Sequence, residues 1–216
     1  MKAQVAETAH RWHSNSGRSM VEVLAVVAIA TILTAVAVPQ VISARRLIRS
    51  AALPREIATQ LRYARQQAMS QRQAFTFVYD DSTKQISIID HQAFGPGLLI
   101  APGYPNTAGS ITVLNIPVGG GGLPASEVTF GVPSTITNTT LSDTGTPTAL
   151  VNNKLTVTFQ PNGTVQDSSG KEVNYRTLYF YNSKVPTETA CAVSILGSAG
   201  RIKIWRYTTS ASQYLE

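Results

Sequence analysis

The chain is poor in the residues that do chemistry. Of its 216 residues one is cysteine, Cys191, and three are histidine, His10, His13 and His91. A single cysteine excludes an intramolecular disulfide, so the fold has to be held by burial and hydrogen bonding. Cys191 reads as a small core residue in an apolar strand. Zinc sites take three or four ligands from Cys, His and carboxylates. No such spacing is present, so neither a metal nor a cofactor is expected. Only His91 lies beyond the first 17 residues, and no motif surrounds any serine that would make a Ser-His-Asp arrangement with it. Asp90 precedes His91, but neighbours on a strand point to opposite faces. The glycine run at 119–122 lacks the Lys-Ser or Lys-Thr of a phosphate-binding loop. The expectation is a chain that is not an enzyme.

Charge is missing from one stretch in particular. No residue from 23 to 44 is ionisable, and nearly all are Val, Ala, Ile or Leu. A bilayer core needs about 20 such residues in a helix. The run is too long for the apolar part of an ordinary secretory signal, and no A-x-A site follows it. Glu22 stands at its edge. A carboxylate at membrane depth costs about 2.5–3.5 kcal/mol on insertion scales, so it calls for a partner. Lys2, Arg11 and Arg18 precede the run and Arg45, Arg46 and Arg49 follow it, so the distribution of cations sets no orientation. Across the whole chain 18 Lys and Arg face 12 acids, a net +6. That excess permits contact with anionic surfaces without demanding it.

The sequence Ser16-Gly17-Arg18-Ser19-Met20-Val21-Glu22, followed by the apolar run and Pro39, resembles the class III signal of type IV prepilins and type II secretion pseudopilins. The resemblance implies cleavage by prepilin peptidase after Gly17 and methylation of the new amine on Arg18. Glu22 is then the fifth residue of the mature chain and Pro39 the twenty-second, both family positions. Arg18 departs from the usual Phe, Met or Leu. The resemblance further implies an inner-membrane protein with a cytoplasmic N-terminus, its globular part periplasmic or extracellular. It implies other pilin or pseudopilin subunits as partners, with Glu22 meeting a neighbour's N-terminal amine. Two machines are compatible with it: a type IV pilus, or the pseudopilus of type II secretion, with a place near the tip and in priming assembly.

Beyond Pro39 the period stays helical. Leu53, Ile57, Leu61, Ala64 and Ala68 fall on one helical face, with Arg55, Arg62, Arg65 and Arg72 on its flanks, read as solvated. Pro54 is placed to kink or restart the helix. The period then changes to two. Strands are expected over 74–79, 85–90, 127–132, 155–160, 174–181, 190–196 and 201–207, with a short one at 111–116. Asp80 to Lys84 and Pro161-Asn162-Gly163 read as hairpin turns. A helix leading straight into such strands, with Phe159-Gln160-Pro161-Asn162-Gly163 and Gly200-Arg201-Ile202-Lys203-Ile204, resembles the GspH/FimT branch of the family. The expected division is a leader over 1–17, a membrane and filament-core helix over 18–42 and its amphipathic continuation over 43–72. A β-rich domain over 73–216 follows, with a long Gly- and Pro-rich loop at about 91–126. The expected class is α+β, a long N-terminal helix whose amphipathic part packs on antiparallel sheet.

The last strand carries a second functional reading. Alternation puts Arg201, Lys203 and Trp205 on one face, with Ile202 and Ile204 toward the core and Arg206 nearby. Cations beside an outward indole are able to hold a phosphate backbone and stack on a base. The reading is weak, salt-sensitive DNA binding of the kind some FimT-like minor pilins use for DNA uptake. The alternative is a solvated outer face with Trp205 packed under a loop.

Overall fold

The computed structural model describes residues 19–92, 100, 103–119, 122–141, 147–167, 171–173 and 175–216. Gly17 and Arg18, and parts of the long loop, lie outside these residues. Contacts divide the chain into two units, one ending at Ile42 and one spanning Ser43–Glu216.

Helix α1 covers Met20–Ser50. Through the first unit its side chains are all exposed, Val, Ile and Leu included. Its two threonines return their hydroxyls to the backbone, Thr31 to Ala28 O (2.8 Å) and Thr34 to Ala30 O (2.7 Å). Neither hydroxyl is then left free, and the helix is long and apolar enough to cross a membrane.

In the second unit α1 stops at Ser50, and α2 begins at Leu53 and ends at Gln71. The expected continuation over 43–72 is therefore two helices. Pro54 sits in the first turn of α2. Its ring would clash with the carbonyl of Ser50 in an unbroken helix, and it has no N–H to give. Leu53, Ile57, Leu61, Ala64 and Ala68 are all buried, the face read from the spacing. The helix closes on Arg72, whose left-handed backbone (φ 54°) lets its N–H bond Ala68 O.

Among the described residues ten strands follow, in two antiparallel sheets rather than one. The first is ordered β3-β2-β1-β5-β6 and the second β10-β9-β8-β7-β4. In chain order they are β1 Phe75–Asp80, β2 Gln85–Asp90, β3 Ile111–Pro117, β4 Val128–Phe130, β5 Lys154–Phe159, β6 Val165–Gln166, β7 Tyr175–Asn182, β8 Cys191–Leu196, β9 Arg201–Thr208 and β10 Gln213–Leu215. A single helical turn, α3 Pro186–Thr189, precedes β8. The α+β class stands as expected. The short strand β10 had no signal in the sequence, because three residues carry no period.

Both sheets turn one face to α2. Phe75, Phe77, Ile86, Ile88, Val157 and Phe159 from the first sheet share a core with Leu178, Phe180, Val193 and Ile195 from the second. Tyr79 of the first sheet stacks on Phe130 of the second with centroids 5.9 Å apart, and Phe180 meets both edge to face at 5.1 and 5.3 Å. Arg65 ties two turns together. Its Nε donates to Gly163 O (3.2 Å) in the β5–β6 turn, and its Nη2 to Ala199 O (2.8 Å) in the β8–β9 turn. Arg65 is thus a structural tie, not the solvated flank expected. Both turns need glycine here. Gly163 and Gly200 have positive φ, and a Cβ at Gly200 would fall 2.2 Å from Gly163 O and 2.3 Å from Arg65 Nε.

Candidate functional site

In the first unit Glu22 lies in the opening turn of α1, its N–H bonded to Ser19 O at 2.8 Å. Carboxylates suit a helix N-terminus, but the side chain itself is exposed. It is the one ionisable group of the helix before Arg45. Pro39 lies inside the helix without ending it.

In the second unit the residues of β9 separate. Trp205 does not point outward. It is 3 % exposed, and its Nε1 donates to Ser194 Oγ at 2.8 Å. It belongs to a second core on the far face of sheet two, with Ile136, Leu141, Tyr179, Ala192 and Tyr214. The outward indole beside two cations is therefore corrected. Alternation was read properly, but the face opposite α2 is covered as well. A loop through Ile136 and Leu141, together with β10, closes over it. Indole is a large apolar surface with one donor, and such a group favours a covered site with a single acceptor.

Lys203 lies above the indole, its Nζ 5.0 Å from the ring centroid, and bonds Glu216 at 2.6 Å. Arg201 is exposed. Arg206 turns the other way, with Ile202 and Ile204, and its Nη2 donates to Ala51 O at 3.2 Å. That carbonyl sits at the break between α1 and α2, where helix carbonyls lose their partners. Of the four residues singled out on β9, only Arg201 and Lys203 share an outward surface. The exposed aromatic beside them is Tyr175 of β7. A shallow hollow of about 300 Å³ is lined by Tyr175, Ser194, Leu196, Arg201 and Lys203. Tyr175 escaped the sequence reading because its neighbours across β8 are set by register, which a single strand does not reveal.

The end of α1 is held by a small polar network. Glu127 accepts from Asn182 Nδ2 (2.9 Å) and pairs with Arg46 (3.6 Å), and Asn182 Nδ2 also reaches Ser50 Oγ (3.2 Å).

The groups with most chemical potential are enclosed. Cys191 is buried, and desolvation pushes its thiol up to about 12, so the thiolate is scarce at neutral pH. His91 is 2 % exposed. Its Nε2 lies 2.6 Å from Thr76 Oγ1 and its Nδ1 lies 3.0 Å from Thr107 Oγ1. Burial lowers its pKa, opposed by the charge of Asp90. Among the described residues no group of three His, Cys, Asp or Glu is placed to hold a metal ion.

No family model matches the chain, and no curated protein matches it. Two crystal structures of the type IV minor pilin FimU of Pseudomonas aeruginosa strain PAO1 are similar to it. The crystal in space group P21 gives a TM-score of 0.43 at 20 % identity, covering 77 % of this chain and 92 % of that one. The crystal in P65 gives 0.41 at 19 % identity, covering 77 % of this chain and 97 % of that one. These are likenesses of fold, at an identity too low to carry a function across.

Proposed function

We propose that the chain is a minor pilin or pseudopilin of the GspH/FimT type, a structural subunit of a type IV pilus or type II secretion pseudopilus. It is cut by prepilin peptidase after Gly17, methylated on Arg18 and held in the inner membrane with its N-terminus cytoplasmic. Extraction into a filament with other subunits follows, with a place near the tip in priming assembly. One observation carries the reading. A helix whose apolar side chains are all exposed has a single carboxylate, Glu22, in its first turn. Such a surface requires lipid or like helices around it. Among like helices an unpaired carboxylate is costly, and a neighbour's N-terminal amine relieves it. A lone charge pair on otherwise uniform apolar faces also fixes the step between subunits.

The test is Glu22→Val in the native host. Valine suits lipid better than glutamate does, so the precursor should insert and be cut as before, with a mature N-terminus at Arg18 by mass spectrometry. Incorporation into sheared filaments should fall to background. Incorporation equal to wild type would remove Glu22 from assembly, and a mature N-terminus elsewhere would remove the processing site.

A weak polyanion contact is the second reading, favoured by the hollow that brings Tyr175 beside Arg201 and Lys203. Each phosphate neutralised adds about 0.7–0.9 to the salt slope. Two cations, one of them bonded to Glu216, support only low affinity. Gel shift of short duplex DNA by wild type against Arg201→Ala/Lys203→Ala checks it, and equal binding by both rejects it.

A further inference from the structure

A second concavity lies along the face of sheet one that points away from α2. It has a volume of about 280 Å³. Its walls come from separate segments, with Thr156 and Thr158 on β5, Gln166 on β6, Arg176 on β7, and Ile100 and Val151 from loops. Strands fix the polar side and loops supply the apolar side.

Arg176 is the telling residue. Its Nε is buried and, among the described residues, has no hydrogen-bond acceptor. A buried donor on a charged group is costly to leave unmet. Lys154, the other cation at the cleft, already has a carboxylate, Asp80, at 3.5 Å. A carboxylate, Asp167, also lines the cleft, and Arg176 Nε is the buried donor left without an acceptor among the described residues. Around it stand hydroxyls with capacity to spare. Thr158 Oγ1 bonds Thr76 Oγ1 (2.8 Å), and a hydroxyl both donates and accepts more than one bond.

We propose that this cleft binds a small sugar acid, its carboxylate on Arg176 and its ring hydroxyls on the threonines and Gln166. The guanidinium fork matches a planar carboxylate. The hydroxyl-rich wall matches a polyol. Ile100 and Val151 supply apolar surface for the C–H face of a pyranose ring. A fully apolar ligand would leave the spare hydrogen-bonding capacity of the threonines unused, and a bare inorganic anion would leave most of the volume unfilled. The site is remote from Glu22 in sequence and independent of the filament reading, so the two stand or fall apart.

The experiment uses the full chain in detergent micelles, with D-galacturonate and D-galactose as probes followed by saturation-transfer NMR. The two sugars differ at one carbon, carboxylate against alcohol. Saturable binding of galacturonate is expected, with galactose weaker by about tenfold or more, the loss of one charge-assisted contact. Arg176→Gln should remove that preference without changing the circular dichroism spectrum. Should Arg176→Gln fail to fold, Val151→Phe serves instead. Val151 is 43 % exposed, so the larger ring is tolerated while it narrows the cleft. Absence of saturable binding overturns the proposal. So does equal binding of the two sugars, or galacturonate binding unchanged in both variants.

Discussion

The two sheets share one core but differ on the faces turned away from α2. Behind sheet one the face is polar. Thr76, Thr158 and His91 are linked by bonds of 2.6–2.8 Å, and the nearby buried Gln160 has neither amide atom paired. Behind sheet two the face is aromatic. Tyr179, Ala192 and Trp205 stand opposite one another across three strands, and Tyr214 packs on Tyr179 at 5.4 Å. The small Ala192 leaves room for a large ring on each side. One covered face is thus held by directional bonds and the other by burial. Loss of an apolar group from a tight core leaves a cavity, whereas loss of one hydrogen bond among several costs less. The two faces should therefore respond to substitution and to pH in different ways.

The largest effect is expected on the aromatic face. Trp205→Ala removes a buried ring and leaves Ser194 Oγ without its donor. The cost should be about 3–5 kcal/mol, read from urea unfolding of the full chain in detergent by far-ultraviolet circular dichroism. An indole exposed as a stacking platform would give a change within about 0.5 kcal/mol. The measurement therefore separates a core role from a surface role directly.

The seam between the sheets comes next. Arg65→Met keeps the aliphatic stem under Gly163 and Gly200 but removes the donors to Gly163 O and Ala199 O. A cost of about 1–3 kcal/mol is expected. Hydrogen exchange should rise in the β5–β6 and β8–β9 turns and little elsewhere. A global rise in exchange without local bias would mean that the tie is not specific to these turns.

These variants mark where the sequence was legible. The α2 face could be read because Leu53, Ile57, Leu61, Ala64 and Ala68 recur every three or four residues among mainly polar neighbours. The hairpin β1–β2 and the Asn162-Gly163 turn could be read because local chemistry defines them. The charge-free run that follows Glu22 was plain from composition alone. Alternation in β9 placed its residues on the correct faces, yet gave the wrong exposure for Trp205. A period of two reports which residues share a face and says nothing of what covers it. The cover here comes from Ile136, Leu141 and Tyr214, far away in the chain or in a strand too short to read. Arg65 was missed for a related reason. Its acceptors are backbone carbonyls about 98 and 134 residues away, and a carbonyl has no sequence identity.

The smallest effect tests the polar face through pH. His91 is neutral in the fold because burial disfavours its cation, although Asp90 opposes that. Its folded pKa is below the unfolded value of about 6.5. The unfolded chain therefore takes up a proton first as pH falls, and stability is lost in step. The contribution is whole above about pH 6.5 and declines below it, toward the folded pKa. At pH 7.5 wild type should melt above His91→Gln, since glutamine does not span Thr76 and Thr107 in the same geometry. At pH 5 the gap should narrow, because only the wild type pays for protonating a buried ring. Carboxylates titrate in both proteins and cancel in the difference. Melting of the two proteins at both pH values is the measurement. A gap that stays constant would show that the ring gains its proton without leaving Thr76 and Thr107. The polar face would then tolerate a buried charge.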